Sequence, residues 1–166
     1  LVIGARGTFF ARAIDTQAKQ LQDVCTHMAA HDGAAVVEVL QNCVIFNDGT
    51  HKEVTDKEVR DDRQLWLEHG KPMIFGKNRD KGIVLRGTRL EVVTIGENGI
   101  TEDDILVHDE TTENTGIHMM LAQMRPPQFP MAFGVIRAYK QPTYNQLFEK
   151  QMEEAQENPK IKCVDD

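Results

Sequence analysis

The stretch that decides the fold runs from residue 8 to residue 40. It begins with TFFARAI at residues 8–14 and ends with AAVVEVL at residues 34–40, two apolar segments with the length and composition of buried strands. Between them, apolar residues recur at steps of three and four, which predicts an amphipathic helix over residues 17–31. Asp15 or Thr16 is expected to cap its start. This pattern predicts two parallel strands joined by a helix, and therefore an α/β fold.

The rest of the chain predicts fewer parallel strands and more mixed structure. A polar helix is expected over residues 55–69, and a short strand or a helical turn over 104–108. The remaining predicted elements are a hairpin of strands at 82–86 and 89–95, a helix at 115–123, a strand at 132–138 and a helix at 144–157. We expect two domains, a parallel α/β portion over residues 1–75 and an α+β portion with a helical tail over residues 76–166.

Composition excludes several classes of protein. The 166 residues contain 19 Lys and Arg against 26 Asp and Glu, a net charge of −7, with no basic cluster, so nucleic acid is not an expected partner. No apolar stretch approaches the roughly 20 residues of a membrane span. No serine is present, which excludes serine nucleophiles. Leu1 starts the chain without a signal peptide, which suggests a fragment, and three cysteines without a CxxC pair favour a reducing, cytoplasmic location.

Cys43 is the candidate functional residue. It follows the second predicted strand, and in parallel sheets ligands bind beyond the carboxyl ends of the strands. From its chemistry alone, Cys43 can be a small buried hydrophobe, a nucleophile or a metal ligand. Cys25 lies on the apolar face of the predicted helix and is expected in the core, whereas Cys163 lies in an acidic tail and is expected to be incidental.

Two histidine-containing segments are weaker candidates for a metal site. His27 and His31 are four residues apart on the predicted helix, but no third ligand accompanies them, which favours a solvated helix face. The run His108-Asp109-Glu110 offers nitrogen and oxygen ligands, although a charged loop after a strand is the simpler interpretation.

Three segments resemble the β subunit of 2-oxoacid:ferredoxin oxidoreductases. They are GARGTFFAR at residues 4–12, EVLQNCVIFN at residues 38–47 and HGKP at residues 69–72, and the Cys-Val-x-Phe-Asn run is the most specific. The 2-oxoglutarate type is favoured over the pyruvate type, and the chain is similar to the C-terminal part of the subunit. The resemblance implies that residues 1–75 form the closing half of a doubly wound thiamine-diphosphate-binding domain and that residues 76–166 form its α+β C-terminal extension.

The resemblance also implies a reaction and its cofactors. The family uses thiamine diphosphate, Mg²⁺ and a [4Fe–4S] cluster to decarboxylate a 2-oxoacid oxidatively, forming an acyl-CoA from coenzyme A and passing electrons to ferredoxin. An α subunit completes the enzyme. By resemblance, Cys43 is the fourth cluster ligand, and Lys19 either is solvated or faces an acidic ferredoxin.

Two family motifs are missing from this chain. They are the Gly-Asp-Gly-Asp motif of the Mg²⁺ site and the CxxC of the cluster, so the chain alone is expected to bind neither cofactor well and to be inactive. No catalytic or thiamine-binding residue is therefore assigned here. Two alternatives stay open: a fragment of a non-redox thiamine-diphosphate 2-oxoacid decarboxylase, and a non-catalytic subunit-interface module with a buried Cys43.

Overall fold

The computed structural model describes residues 1–159 and confirms the strand–helix–strand unit. Strand β1 (Phe9–Ile14) is followed by helix α1 (Ala18–Ala29) and strand β2 (Ala35–Leu40). The two strands pair in parallel from Phe9 opposite Ala35 to Ile14 opposite Leu40. The α/β class predicted from residues 8–40 is therefore correct.

The other elements extend this unit and add a second sheet. In chain order they are α2 (Lys52–Thr55), α3 (Arg60–Arg63), β3 (Gln64–Leu67), β4 (Ile74–Phe75), β5 (Lys81–Arg86), β6 (Arg89–Thr94), a 3₁₀ turn (Glu102–Asp104), α4 (Thr115–Gln123), β7 (Met131–Ala138) and α5 (Tyr144–Glu157). One sheet has the order β2-β1-β7-β3, and the other has the order β4-β5-β6. Because β7 is antiparallel to β1 and parallel to β3, the first sheet is mixed. The predicted hairpin, the helices at 115–123 and 144–157 and the strand at 132–138 are confirmed.

The polar helix predicted over residues 55–69 is wrong. Helix α2 ends at Thr55, Asp56 has an extended backbone with φ −60° and ψ 135°, and only residues 60–63 of the predicted range form a helix, α3. Residues 64–67 form β3 instead, because Leu65 and Leu67 are buried and the strand pairs with β7. Tertiary packing therefore overrides the local helical preference of the polar residues. Residues 104–108 were predicted as a short strand or a helical turn. They begin in the 3₁₀ turn and continue to a β-bridge between Val107 and Pro72.

The predicted cap of α1 is also wrong, and this shapes the surface at the end of β1. The chain turns through a hydrogen bond from the Gln17 amide to the Ile14 carbonyl, so Gln17 rather than Asp15 or Thr16 precedes the helix. Its side-chain amide donates to Gln64 Oε1 at 2.8 Å and does not cap the helix.

Core side chains from both predicted domains pack together. The largest cluster joins Leu65 and Met73 with Ile83, Leu121 and Ile136. Strand β7, from the second predicted domain, lies between β1 and β3 of the first. The two segments therefore share a sheet and a core, and their division into separate domains stays a prediction.

Apolar side chains are exposed on β2 and on α5. Strand β2 is the edge of its sheet, and its Val36 and Val39 side chains are partly exposed. Helix α5 has no buried residue, and its Leu147 and Phe148 side chains are exposed one turn from Tyr144. Within residues 1–159, no helix has the length and apolar character needed to cross a membrane.

Candidate functional site

The loop that carries Cys43 is fixed at both ends by the core. It leaves the carboxyl end of β2 at Leu40 and enters α2 before Val54. Leu40 and Val54 are buried in one cluster with Ile14 and Phe133. Because both ends of the loop are anchored in the core, Cys43 lies beyond the carboxyl ends of β1 and β2, as the strand pattern predicts.

Side-chain hydrogen bonds close the loop on itself. Asn42 Nδ2 donates to Asp48 Oδ1 at 2.9 Å, and the Gly49 amide donates to Asn42 Oδ1 at 2.8 Å. The Asn47 amide donates to the Cys43 carbonyl at 3.0 Å. Gly49 has φ +75°, a left-handed conformation that a residue without Cβ adopts readily. Asn42 thus holds residues 43–47 in a tight turn.

The Cys43 thiol is exposed, and backbone amides favour its ionised form. The amides of Phe46 and Ile45, and less strongly that of Asn47, lower the pKa of this thiol below its ordinary value, although desolvation of the sulfur acts in the opposite direction. The thiolate is the form that attacks electrophiles and binds metals. Packing inside the core, one of the three roles considered for Cys43, is not what the structure shows.

Cys43 fits one position of an iron–sulfur site. A [4Fe–4S] cluster takes four thiolate ligands, and amide hydrogen bonds to the sulfurs adjust its potential. Across residues 1–159, no three His, Cys, Asp or Glu side chains come close enough to hold a metal ion. Cys25 is a free, half-buried thiol on α1 rather than a fully buried one, and Cys163 lies outside the described residues. The described residues therefore suit one ligand of a cluster and supply no ligand set for Mg²⁺.

The tip of the Cys43 loop is unusually apolar for a surface. Val44, Ile45 and Phe46 are 72%, 82% and 89% exposed. Three consecutive large apolar side chains at the surface are typical of an interaction site rather than of a free loop. The Cys43 thiol and this apolar tip thus lie on the same five-residue turn.

Comparison with known proteins identifies the family. No protein-family model and no solved structure match the chain. The chain is 34% identical over 153 residues to the 2-oxoglutarate oxidoreductase subunit KorB of Mycobacterium tuberculosis, a match that covers 92% of this chain and 40% of KorB. The chain belongs to the 2-oxoacid:ferredoxin oxidoreductase β-subunit family. The resemblance inferred from the Cys43 segment is thereby confirmed, and the chain spans less than half the length of this relative.

His27 and His31, the two histidines of α1 and its C-terminal end, do not form a common site. His27 Nδ1 donates to the Asp23 carbonyl at 2.8 Å, within its own helix. His31 Nε2 lies 2.9 Å from Thr8 Oγ1, and its ring packs against Phe9. Each imidazole has a separate partner, which agrees with the interpretation of a helix surface.

The run His108-Asp109-Glu110 is divided between the core and the surface. His108 is buried, whereas the Asp109 carboxylate accepts hydrogen bonds from the amide and hydroxyl of Thr111. These bonds lower the pKa of Asp109, and burial raises the pKa of Glu110. The three side chains therefore do not form a ligand set.

A buried polar network, which the sequence pattern does not reveal, lies behind this run. His108 Nε2 donates to the Val135 carbonyl at 2.9 Å, and His118 Nε2 donates to the Asp109 carbonyl at 2.8 Å. Arg137 Nη1 donates to His118 Nδ1 at 3.1 Å. These bonds require His118 to be neutral, because its Nδ1 must accept. The signal in the sequence is weak: His118 lies within the apolar segment at residues 117–121, and His108 directly follows the apolar residues 105–107.

These two histidines should make stability fall in mild acid. Burial lowers the pKa of both His108 and His118. The unfolded chain takes up their protons near pH 6.5 while the folded chain does not, so stability is present above that pH and is lost below it. We expect the free energy of unfolding to fall between pH 7 and pH 5 by up to about 1.4 kcal/mol per pH unit for each histidine. Urea denaturation at several pH values measures this slope.

Variants separate the contribution of the histidines to this slope from that of the carboxylates. The raised pKa of Glu110 makes stability rise, not fall, as the pH is lowered. His108→Gln and His118→Gln should each reduce the slope, whereas Ile136→Val should lower stability by about 1 kcal/mol without changing the slope. Equal slopes in all four proteins would contradict the assignment.

Proposed function

We propose that the chain is part of the β subunit of a cytoplasmic enzyme that decarboxylates a 2-oxoacid. The preferred 2-oxoacid is 2-oxoglutarate. The 2-oxoacid loses CO₂, its acyl group joins the sulfur of coenzyme A, and two electrons pass through a [4Fe–4S] cluster to ferredoxin. The observation that carries this proposal is the 34% identity to KorB over 92% of the chain. The name of that relative supplies the 2-oxoglutarate preference.

We assign Cys43 the role of one cluster ligand. Its exposed thiol and the amides of Phe46 and Ile45 support this role, since they favour the thiolate that iron requires. The other three ligands would come from residues outside the chain described here. Thiamine diphosphate, when bound with Mg²⁺, supplies the stabilisation of negative charge that decarboxylation needs. Residues 1–75 would contribute the closing half of its domain, as the C-terminal part of the subunit.

An α subunit is the proposed partner. The tip formed by Val44, Ile45 and Phe46 and the exposed side chains Leu147 and Phe148 of α5 are apolar surfaces of the kind that a subunit buries in an assembly. We therefore expect this chain to act within a complex and to have no activity alone.

The function is tested with the complete β subunit and its α subunit, purified together without oxygen. We expect about four iron atoms per β subunit and ferredoxin reduction that depends on both 2-oxoglutarate and coenzyme A. The ratio kcat/KM should favour 2-oxoglutarate over pyruvate by on the order of 100-fold.

Two other results would point to the alternative functions. Decarboxylation by an iron-free protein, without ferredoxin reduction, would identify a non-redox thiamine enzyme. A complex that forms but acts on no 2-oxoacid would identify an interface module.

A further inference from the structure

Helix α5 does not pack against the core of its own chain. None of its residues is buried, and none belongs to a core cluster of the described residues. An isolated helix shorter than about 15 residues is only marginally stable in water. The start of α5 is nevertheless well defined, because the Gln146 amide donates to Thr143 Oγ1 and the Thr143 amide donates to Gln146 Oε1. Such a helix gains stability when it binds another surface.

One face of α5 is apolar. Its large apolar side chains follow one another at steps of three and four residues, and they are Tyr144, Leu147, Phe148 and Met152, which are 78%, 54%, 48% and 46% exposed. The rings of Tyr144 and Phe148 stack with their centroids 6.1 Å apart. This spacing is the one with which an amphipathic helix fills an apolar groove.

The rest of α5 is acidic. It carries four glutamates, at positions 149, 153, 154 and 157, and one lysine, Lys150. The Lys150 ammonium lies 3.8 Å from the carboxylate of Glu154, so its charge is balanced within the helix. The groove that complements α5 is therefore apolar at its floor and basic at its rim.

A groove of this chemistry lies between the β5–β6 hairpin and the C-terminal end of α4. It has a volume of about 550 Å³. Its apolar floor consists of Leu90, Met120, Met124 and Phe129. Methionine side chains adapt their shape to a partner. The charged residues that line it are Arg89 and Arg125, and no carboxylate of residues 1–159 lines it.

The groove continues on the other side of Phe129. A second cleft of about 380 Å³ shares Gln128 and Phe129 with the first and adds the apolar side chains of Val59, Val92 and Pro127. Val59 and Val92 are 36% and 38% exposed. The two clefts together follow β6, the edge strand of its sheet. They form one elongated surface, which we call the β6 groove.

The charges of the two clefts match the two halves of α5. The second cleft has as many basic as acidic residues, namely Arg63 and Lys81 with Glu58 and Asp62. Residues 144–148 of α5 are uncharged, whereas its carboxylates lie in residues 149–157. The apolar half of the helix thus fits the neutral cleft, and the acidic half fits the cleft lined by Arg89 and Arg125.

Strand β7 separates α5 from the β6 groove of the same chain. The strand begins at Met131, directly after the groove residue Pro130, and ends at Ala138. Eight residues of a strand span about 26 Å. The segment that leads into α5 therefore starts at the opposite end of β7 from the groove.

This segment is also held where it is. The Tyr139 amide donates to the Thr8 carbonyl at 2.8 Å, and Thr143 lies next to Gly33, before β2. While these contacts persist, Tyr144 stays about the length of a strand from its own groove. The helix of another molecule is not restricted in this way.

We propose that α5 of one molecule binds in the β6 groove of a second copy of this chain. Because each chain carries both the helix and the groove, a twofold arrangement makes the contact twice. Phe148 and its apolar neighbours fill the groove, and Glu153 and Glu154 face Arg89 and Arg125. The proposal does not rest on the reaction proposed above. It assigns α5 to a second copy and leaves the tip of the Cys43 loop to the α subunit.

Sedimentation velocity of the full 166-residue chain over a range of concentrations tests the proposal. We expect a reversible dimer whose dissociation constant rises with salt. Phe148→Asp should raise that constant more than about tenfold. The matched control is Phe46→Asp, which makes the same change on the exposed tip of the Cys43 loop and should leave the constant unchanged.

Reversal of the charges tests the pairing of helix with groove. The helix variant Glu153→Lys/Glu154→Lys and the groove variant Arg89→Glu/Arg125→Glu should each dimerise at least about tenfold more weakly alone. Mixed together, they should form a dimer close in affinity to that of the unmodified chain, because both of its contacts then join opposite charges. The recovered dimer would also show that both variants fold.

Three results would overturn the proposal. A monomer at every concentration would leave α5 to the α subunit. Equal weakening by Phe148→Asp and Phe46→Asp would show unspecific apolar association. A helix variant that binds the unmodified chain as tightly as it binds the groove variant would show that α5 packs on α5. These measurements need no cofactor, so a failure of the proposed reaction would leave their outcome unaffected.

Discussion

Replacing Cys43 by serine in the complete β subunit is expected to lower 2-oxoacid-dependent ferredoxin reduction by more than about 100-fold, since even partners outside the ligand sphere are worth 10- to 100-fold. A serine hydroxyl is a poor ligand for iron, and the amides of Phe46 and Ile45, which favour the ionised thiol of Cys43, cannot make a serine hydroxyl ionise at neutral pH. Iron content and the visible charge-transfer absorption of the cluster should fall together. Iron analysis and spectroscopy of the anaerobically purified complex measure this directly.

Cys25→Ser is the matched control. Cys25 is a free thiol on α1 that is not assigned to any cluster, so the same atom is changed in the same protein. We expect iron content and ferredoxin reduction close to those of the unmodified complex. If Cys43→Ser keeps its iron and its activity, the ligand assignment is wrong, whatever the control shows.

Replacing Arg12 by methionine is expected to lower the free energy of unfolding by about 3 kcal/mol. Arg12 is 2% exposed within the sheet. Its Nε donates to Glu38 Oε2 at 2.6 Å, and Nη1 and Nη2 donate to the carbonyls of Ala132 and Ala122 at 3.1 Å each. Methionine fills similar space but leaves these acceptors without donors. Urea denaturation of the chain measures the loss.

Arg86→Met tests whether burial is the reason for the large loss of stability expected in Arg12→Met. Arg86 also pairs with a glutamate, Glu91, at 3.0 Å, but the two side chains are 59% and 50% exposed. Water replaces the lost bonds there, so the expected loss is below about 1 kcal/mol. Equal losses in the two variants would show that the carbonyl bonds of Arg12 contribute little.

The elements that sequence analysis located well are those defined by local pattern. The three- and four-residue spacing of α1 and the apolar runs of β1 and β2 fix their own structure. The turns are equally local: Gly87, between the two strands of the hairpin, and Asn98, after β6, both have positive φ, which glycine and asparagine adopt more readily than other residues.

The segments that sequence analysis misjudged depend on distant partners. Residues 64–67 form a strand because β7, more than 60 positions later, pairs with them. The side chain of Gln17 is drawn to Gln64 and leaves the start of α1 without a cap. Neither interaction has a periodicity that a window of neighbouring residues can detect.

Some features of the candidate site also follow from the sequence, and others depend on the tertiary structure. Its position after β2 and its cysteine follow from sequence, and so does the family, since a short motif around Cys43 carries the resemblance that the comparison confirms. The amides that lower the pKa of the Cys43 thiol lie in the turn that Asn42 closes. A cleft lined by Lys19, Arg60, Lys77 and Arg79 exists only because α1, α3 and the β4–β5 turn meet in space.

The sequence by itself determined the α/β unit, the place of Cys43 beyond its strands and the membership of the β-subunit family. These features rest on interactions between residues close along the chain, or on a motif that is a string of residues. Only the tertiary structure decided the mixed order of the sheet, the burial of Arg12, His108 and Arg137, and the charge of the cleft. Those features arise from contacts between residues far apart along the chain, whose energies depend on burial and distance and not on order in sequence.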